Sequence, residues 1–331
     1  QGRMAPGSCS HEVVAAQPWV LGNRVGMVGV SYPGISQLFV AQTQPPSLAA
    51  ITPFSVIADS AISTLYPGGI LNTGFAVPWT AERVEQARPN GQRWAVDRID
   101  AGDTTCEANQ QLRLQNPDLL AEIPNPEYWD DTVAAEVAPR LFVDRITVPT
   151  LVAGAGQEEQ TGGHLATMLD RFTGTDHLSV SLMNGPHTDA ISPAVLPRFV
   201  EFLDLYVAER TPSLAPARTI APILAAQLFG TTDVALPDAD RFDGMSYEQA
   251  LAAFEREPSI EVLFEQGAAD GRTPLSPLPR FRATFDEWPV PGATPTRWFL
   301  NGDGVEGGLL GDAAGENSST TSYLALPDAV P

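Results

Sequence analysis

The chain has 331 residues, 43% of them hydrophobic, and a formal net charge of −21, which is enough apolar side chain for one large core or two smaller ones. That acidity excludes any broad attraction to nucleic acid, because a polyanion needs a basic footprint. No run of about eighteen apolar residues offers membrane insertion, and the opening "QGRMAPGSCSHE" lacks the regions of a signal peptide, so a soluble protein is expected, cytoplasmic or secreted.

In chain order, "VGMVGV" (25–30) predicts a buried strand, the segment from Gly34 to about Gln44 a helix, and "LAAITPF" a second strand ending near Phe54. Strand, helix, strand predicts a parallel sheet. From about Ala58 to Arg140 the apolar residues take a helical period among charges, which reads as a helical insertion. The sheet pattern returns with "VPTLVAGAG", a helix at "GGHLATMLDRF", the strand "HLSVSLMNG" and a long amphipathic helix, "AVLPRFVEFLDLYVAER", with Pro197 in its first turns. After Thr211, "TIAPILAAQLFG", "IEVLFEQG" and "TRWFLNG" read as strands of a different unit.

Chemistry concentrates where "VGMVGV" runs into Ser31-Tyr32-Pro33-Gly34. A serine on a tight turn between strand and helix is lifted above the sheet, with a helix N-terminus behind it. Gly29 and Gly34 provide the small neighbours that such a turn requires, and Pro33 fits a first helical turn, although the usual pattern has glycine in its place. The Tyr32 N–H is then the candidate oxyanion donor. A serine nucleophile needs a base, and of the four histidines His187 alone follows a strand directly, in "NGPHTD", where doubly wound sheets carry their active groups. The acid belongs at the end of an intervening strand, and "TLVAGAG" leads to Glu158 and Glu159. The order serine, acid, histidine is that of α/β-hydrolases. Cys9 and Cys106 have no metal-ligand spacing, and neither metal nor organic cofactor is expected.

"GNRVGMVGVSYPGISQ" resembles the nucleophile turn of the cocaine-esterase/NonD-type and Xaa-Pro dipeptidyl-peptidase-like α/β-hydrolases, in which tyrosine regularly follows the serine. "LYPGG" (65–69) is similar to the start of that family's helical cap, and "NPEYWDD" with "ITVPTLVAGAGQEEQTGG" to the cap's end and the acid-bearing strand. The resemblance places Glu158 on the family's catalytic aspartate, with Glu159 as the alternate, and His187 on its histidine. Glutamate is longer by a methylene. Residues from "WPVPGATPTRWFLNG" onward resemble the beginning of a C-terminal jelly roll. The resemblance also implies strands ahead of the nucleophile turn, and a longer jelly roll than this chain carries.

The expected fold is thus an α/β-hydrolase core, short at its N-terminal side, with a helical cap and the start of a β-sandwich. Residues 1–57 form the first part of the core with the nucleophile turn, and 58–145 the cap. Residues 146–211 form the second part of the core, 212–290 a connecting or inserted segment, and 291–331 the start of the sandwich. The resemblance implies a serine esterase or acyl hydrolase (EC 3.1.1 ahead of 3.4.14) that acts on a small-molecule ester or amide, with Leu65, Tyr66 and Trp79 in the substrate pocket. Two alternatives stand beside it: an Xaa-Pro dipeptidyl-peptidase-type peptidase, and a truncated non-catalytic relative that acts only by binding. An exposed sheet edge would favour a homo-oligomer.

Overall fold

The computed structural model describes residues 6–115, 137–232, 234, 236–264, 277–302 and 308–313. The chain divides into two units, Gln1–Trp288 and Pro289–Pro331.

The larger unit is built on one six-stranded sheet whose spatial order is the chain order: β1 (Val25–Val30), β2 (Leu48–Phe54), β3 (Thr150–Ala155), β4 (Leu178–Met183), β5 (Ile260–Phe264) and β6 (Phe281–Phe285). β1 to β5 run parallel, and β6 is antiparallel to β5. β2 and β3 are buried at every position. Their continuous apolar runs follow from this, since a parallel strand covered on both faces has no polar side to present. β1 lies at the edge, and Val28 is 54% exposed there.

One face of the sheet packs against α2 (Tyr32–Ala41) and the 3-10 turns Gly163–Arg171, through Leu38, Val56, Met168 and Leu169. On the other face Phe54, Leu151 and Ala153 meet the helix Leu196–Tyr206 through Phe202 and Leu205. Each fully buried side chain of this size contributes roughly 1.5–3 kcal/mol. Pro197 occupies the first turn of that helix, where a missing N–H costs nothing. Between β2 and β3 the chain is helical: a π-helical turn at Ser60–Leu65, then α3 (Ala76–Ala87), α4 (Arg93–Asp100) and α5 (Thr104–Gln110). "NPEYWDD" lies outside the described residues.

The segment after Thr211 departs from the sequence reading. "TIAPILAAQLFG" is not a strand; with the helix Leu196–Tyr206 numbered α6, it lies in α7 (Ala215–Phe229). Ala217, Ala221 and Ala225 recur every four residues on its buried side, a helical period that small residues mark weakly. "IEVLFEQG" begins as β5, which pairs with β4 in the main sheet rather than in a separate unit. A strand's own residues do not say which sheet it will join. Residues 212–290 therefore supply α7, α8 (Tyr247–Phe254), β5 and β6 to the larger unit.

In the smaller unit β7 (Phe299–Gly302) and β8 (Gly308–Gly311) form an antiparallel pair. Of the expected β-sandwich, residues 303–307 and 314–331 lie outside the described residues. Among the described residues no helix is long and apolar enough to cross a membrane.

Candidate active site

Strand register brings the candidate residues to one edge of the sheet. Val30 pairs with Phe54, Phe54 with Ala153, and Ala155 with Met183, so Ser31, Ser55, Glu158 and His187 all follow the C-terminal ends of neighbouring parallel strands. Such ends are where this class of sheet places its ligands.

Ser31 has φ 63° and ψ −132°, a conformation that costs an L-residue about 1–3 kcal/mol and persists only when its surroundings impose it. The surroundings are specific. The Ser31 N–H donates to the Phe54 carbonyl at 2.9 Å, and its own carbonyl accepts from the Ile35 N–H at 2.8 Å. A Cβ on Gly29 would lie 2.6 Å from the Pro33 Cβ, and one on Gly34 would lie 2.6 Å from the Phe54 carbonyl oxygen. Both glycines therefore serve the close approach of α2 to β1 and β2, and proline two places after the serine is accommodated by the bare Cα of Gly29. Tyr32 is the first residue of α2 and two-thirds exposed. Its N–H has no acceptor within the helix and forms part of the positive end of the helix dipole.

Glu158 and His187 meet directly. His187 Nδ1 is 2.7 Å from Glu158 Oε1, and the two side chains are 7% and 2% exposed. Burial pushes the Glu158 carboxyl up, but the His187 hydrogen bond and the N–H groups of Thr161 and Gln160 outweigh it and hold the group below the usual glutamate range. An ionised carboxylate can only accept, so Nδ1 carries the hydrogen, and in a neutral ring Nε2 then holds the lone pair. Glu159 has a different place: its Oε2 accepts the His187 backbone N–H at 2.9 Å, and its Oε1 accepts from Gln160 Nε2 at 3.2 Å. Both glutamates thus touch His187, one through the ring and one through the main chain.

The serine and histidine turns are fastened to adjacent residues. Phe54 holds the Ser31 N–H, and Ser55 Oγ donates to the His187 carbonyl at 2.7 Å. Ser31 and His187 share no hydrogen bond among the described residues; catalytic contacts of this kind often close only around substrate. Asp189, two residues after His187, is also buried, against Gly185, where a Cβ would stand 2.0 Å from the aspartate oxygen. Burial and the neighbouring charge of Glu159 push its carboxyl up to about 7. Ser55 and Asp189 escape a reading of the sequence: Ser55 bears no motif, and an aspartate in a loop reads as solvated surface.

Leu65 ends the π-helical turn, Tyr66 follows it, and Trp79 sits on α3 with its ring against Phe75 and beneath the Arg83 guanidinium. An apolar cavity of about 200 Å³ lies between Phe54, Ile191, Phe199 and the α7 residues Leu224 and Leu228; neither Leu65, Tyr66 and Trp79 nor Ser31, Tyr32 and His187 line it. His177 contacts Glu255 and Tyr206, and His11 lies in α1 (Pro6–Ala15).

Comparison with known proteins accords with this architecture. No curated protein matches the chain at a significant level. A CocE/NonD family hydrolase from Staphylococcus aureus is similar in structure, with a TM-score of 0.54 at 18% identity over 89% of this chain and 40% of that one. An aminopeptidase from a marine sediment Thaumarchaeota archaeon gives 0.51 at 15% identity, over 86% of this chain and 43% of that one. The chain therefore spans about two fifths of the length of either structure, and at these identities the likeness is one of fold, an α/β-hydrolase core. The model of the X-Pro dipeptidyl-peptidase (S15) family matches residues 10–189, more than half of the chain and a stretch that contains Ser31, Glu158 and His187. The chain belongs to the X-Pro dipeptidyl-peptidase (S15) family.

Proposed function

We propose that this chain carries the catalytic core of a serine hydrolase that cleaves carboxylic esters or related amides through an acyl-enzyme. The Ser31 hydroxyl loses its proton to His187 Nε2 as Oγ bonds to the substrate carbonyl carbon. The imidazolium then returns that proton to the leaving group as its bond to carbon breaks, and water repeats the sequence to release the acid. Glu158 keeps the ring in the required tautomer, and the Tyr32 N–H is one donor to the oxyanion. The carrying observation is the buried 2.7 Å contact between His187 Nδ1 and Glu158, at the same edge of the sheet as a serine in strained backbone.

The chemistry of the site favours an ester over an α-amino substrate. Neither Gln160 nor Thr161, which follow the two glutamates, adds a carboxylate for an ammonium group, and burial with the charge of Glu159 pushes the Asp189 carboxyl up to about 7. The peptidase reading rests on the family model and is tested alongside. Labelling by a fluorophosphonate probe that disappears in Ser31→Ala, with turnover of short nitrophenyl esters exceeding that of an Ala-Pro nitroanilide, supports the esterase. The reverse preference would make it a peptidase, and folded protein that the probe leaves unlabelled would remove the serine-hydrolase reading.

A further inference from the structure

We propose that Thr64, held on its π-helical turn by the buried Asp59–Arg140 ion pair, is a positioning residue for the Glu158 carboxylate. This rests on the reading of Glu158 as the partner of His187.

Asp59 is fully buried a few residues beyond β2. Its Oδ1 accepts from the N–H groups of Ala61 and Ile62 at 2.9 and 3.2 Å, and its Oδ2 lies 3.0 Å from Arg140 Nε. Three more bonds join the same two strands of chain. The Arg140 N–H donates to the Ala58 carbonyl at 2.9 Å, while the Ser60 N–H and Oγ donate to the Val137 carbonyl at 3.3 and 2.7 Å. The start and the end of the helical insertion are thus fastened side by side.

What the clamp presents is the turn Ser60–Leu65, closed by a bond from the Tyr66 N–H to the Ala61 carbonyl, five residues back. Turns of this wide type recur at functional sites. Here the turn leans on the loop that carries the acid. Thr64 Oγ1 donates to the Thr161 carbonyl at 3.2 Å. Gly162 has φ +81°, and a Cβ there would stand 2.3 Å from the Ser63 carbonyl oxygen, so the two segments touch through backbone. Thr161 is therefore gripped at both ends: Thr64 holds its carbonyl, and its N–H holds Glu158 Oε1 at 3.1 Å. That oxygen is the one that meets His187. A side chain that fixes Thr161 fixes the direction of the carboxylate, although Thr64 touches neither Glu158 nor the ring.

The test compares Thr64→Val, which keeps the shape and removes the hydroxyl, with Thr64→Ser, which keeps the hydroxyl. The readouts are nitrophenyl ester kinetics and the downfield proton resonance of the His187 Nδ1–H. For Thr64→Val, kcat should fall roughly three- to tenfold, the scale of one lost hydrogen bond, with KM unchanged and the resonance broadened or lost. Thr64→Ser should restore both. A valine variant with the wild-type resonance would overturn the proposal, as would equal impairment in valine and serine variants. The resonance needs no turnover, so a wild type that hydrolyses nothing removes the catalytic reading while the spectra still decide whether Thr64 positions Glu158.

Discussion

Gly29 and Pro33 approach so closely that a Cβ on the glycine would stand 2.6 Å from the proline Cβ and 2.8 Å from its carbonyl carbon. The neighbour is backbone and a rigid ring, so neither can yield cheaply. Gly29→Ala is expected to destabilise the fold by about 1–3 kcal/mol, measured by chemical denaturation. A change below 0.5 kcal/mol, the scale of an ordinary surface substitution, would show that the turn relaxes and that the glycine is dispensable.

Ser31 itself stores strain. Because glycine adopts positive φ freely, Ser31→Gly should raise stability by about 1 kcal/mol while abolishing hydrolysis. Ser31→Ala should abolish hydrolysis without that gain. Thermal unfolding of the three proteins at one pH distinguishes them, and equal stability of the glycine and alanine variants would remove the strain argument.

Glu158 and Glu159 are adjacent in sequence and differ in what they hold. Glu158→Gln leaves the ring without a carboxylate and should lower kcat by about 10⁴-fold, the scale of an acid-to-amide change in a serine triad. Glu159→Gln keeps an oxygen for the His187 main chain and should cost less than about tenfold. Inverted effects in steady-state kinetics would exchange the roles of the two residues.

Asp189 sets a pH dependence of stability. Its carboxyl rises from an ordinary 3.8 to about 7 in the fold, so the native state binds this proton more tightly than the unfolded chain does. The contribution to stability is present below about pH 4 and is lost as pH rises through about 7. Asp189→Asn cannot ionise, so between pH 5 and 8, a span chosen to cover that loss, its denaturation midpoint should fall less than that of the wild type. Parallel curves for the two proteins would count against a buried, protonated Asp189.

Much of the site's local geometry could be read from residues that are neighbours in the chain. A strand that ends in serine, flanked by glycines and followed by proline, specifies a tight turn because steric exclusion acts between adjacent backbone units. β5 and α7 were harder. The residues of β5 read as a strand, but its parallel partner β4 lies some eighty positions earlier, and α7 shows its buried face only through three alanines.

The sequence by itself determined the strained turn at Ser31, the central apolar strands and the order of serine, acid and histidine along the chain. Only the tertiary structure decided that Glu158 takes the imidazole while Glu159 takes its main chain, that Ser55 anchors the histidine turn, and that Asp189 is buried. The division follows from range. Backbone sterics act over a few bonds and are written in consecutive letters. Burial and carboxylate hydrogen bonding instead join segments as far apart as Ser55 and His187, which meet only when strand register aligns the ends of the sheet.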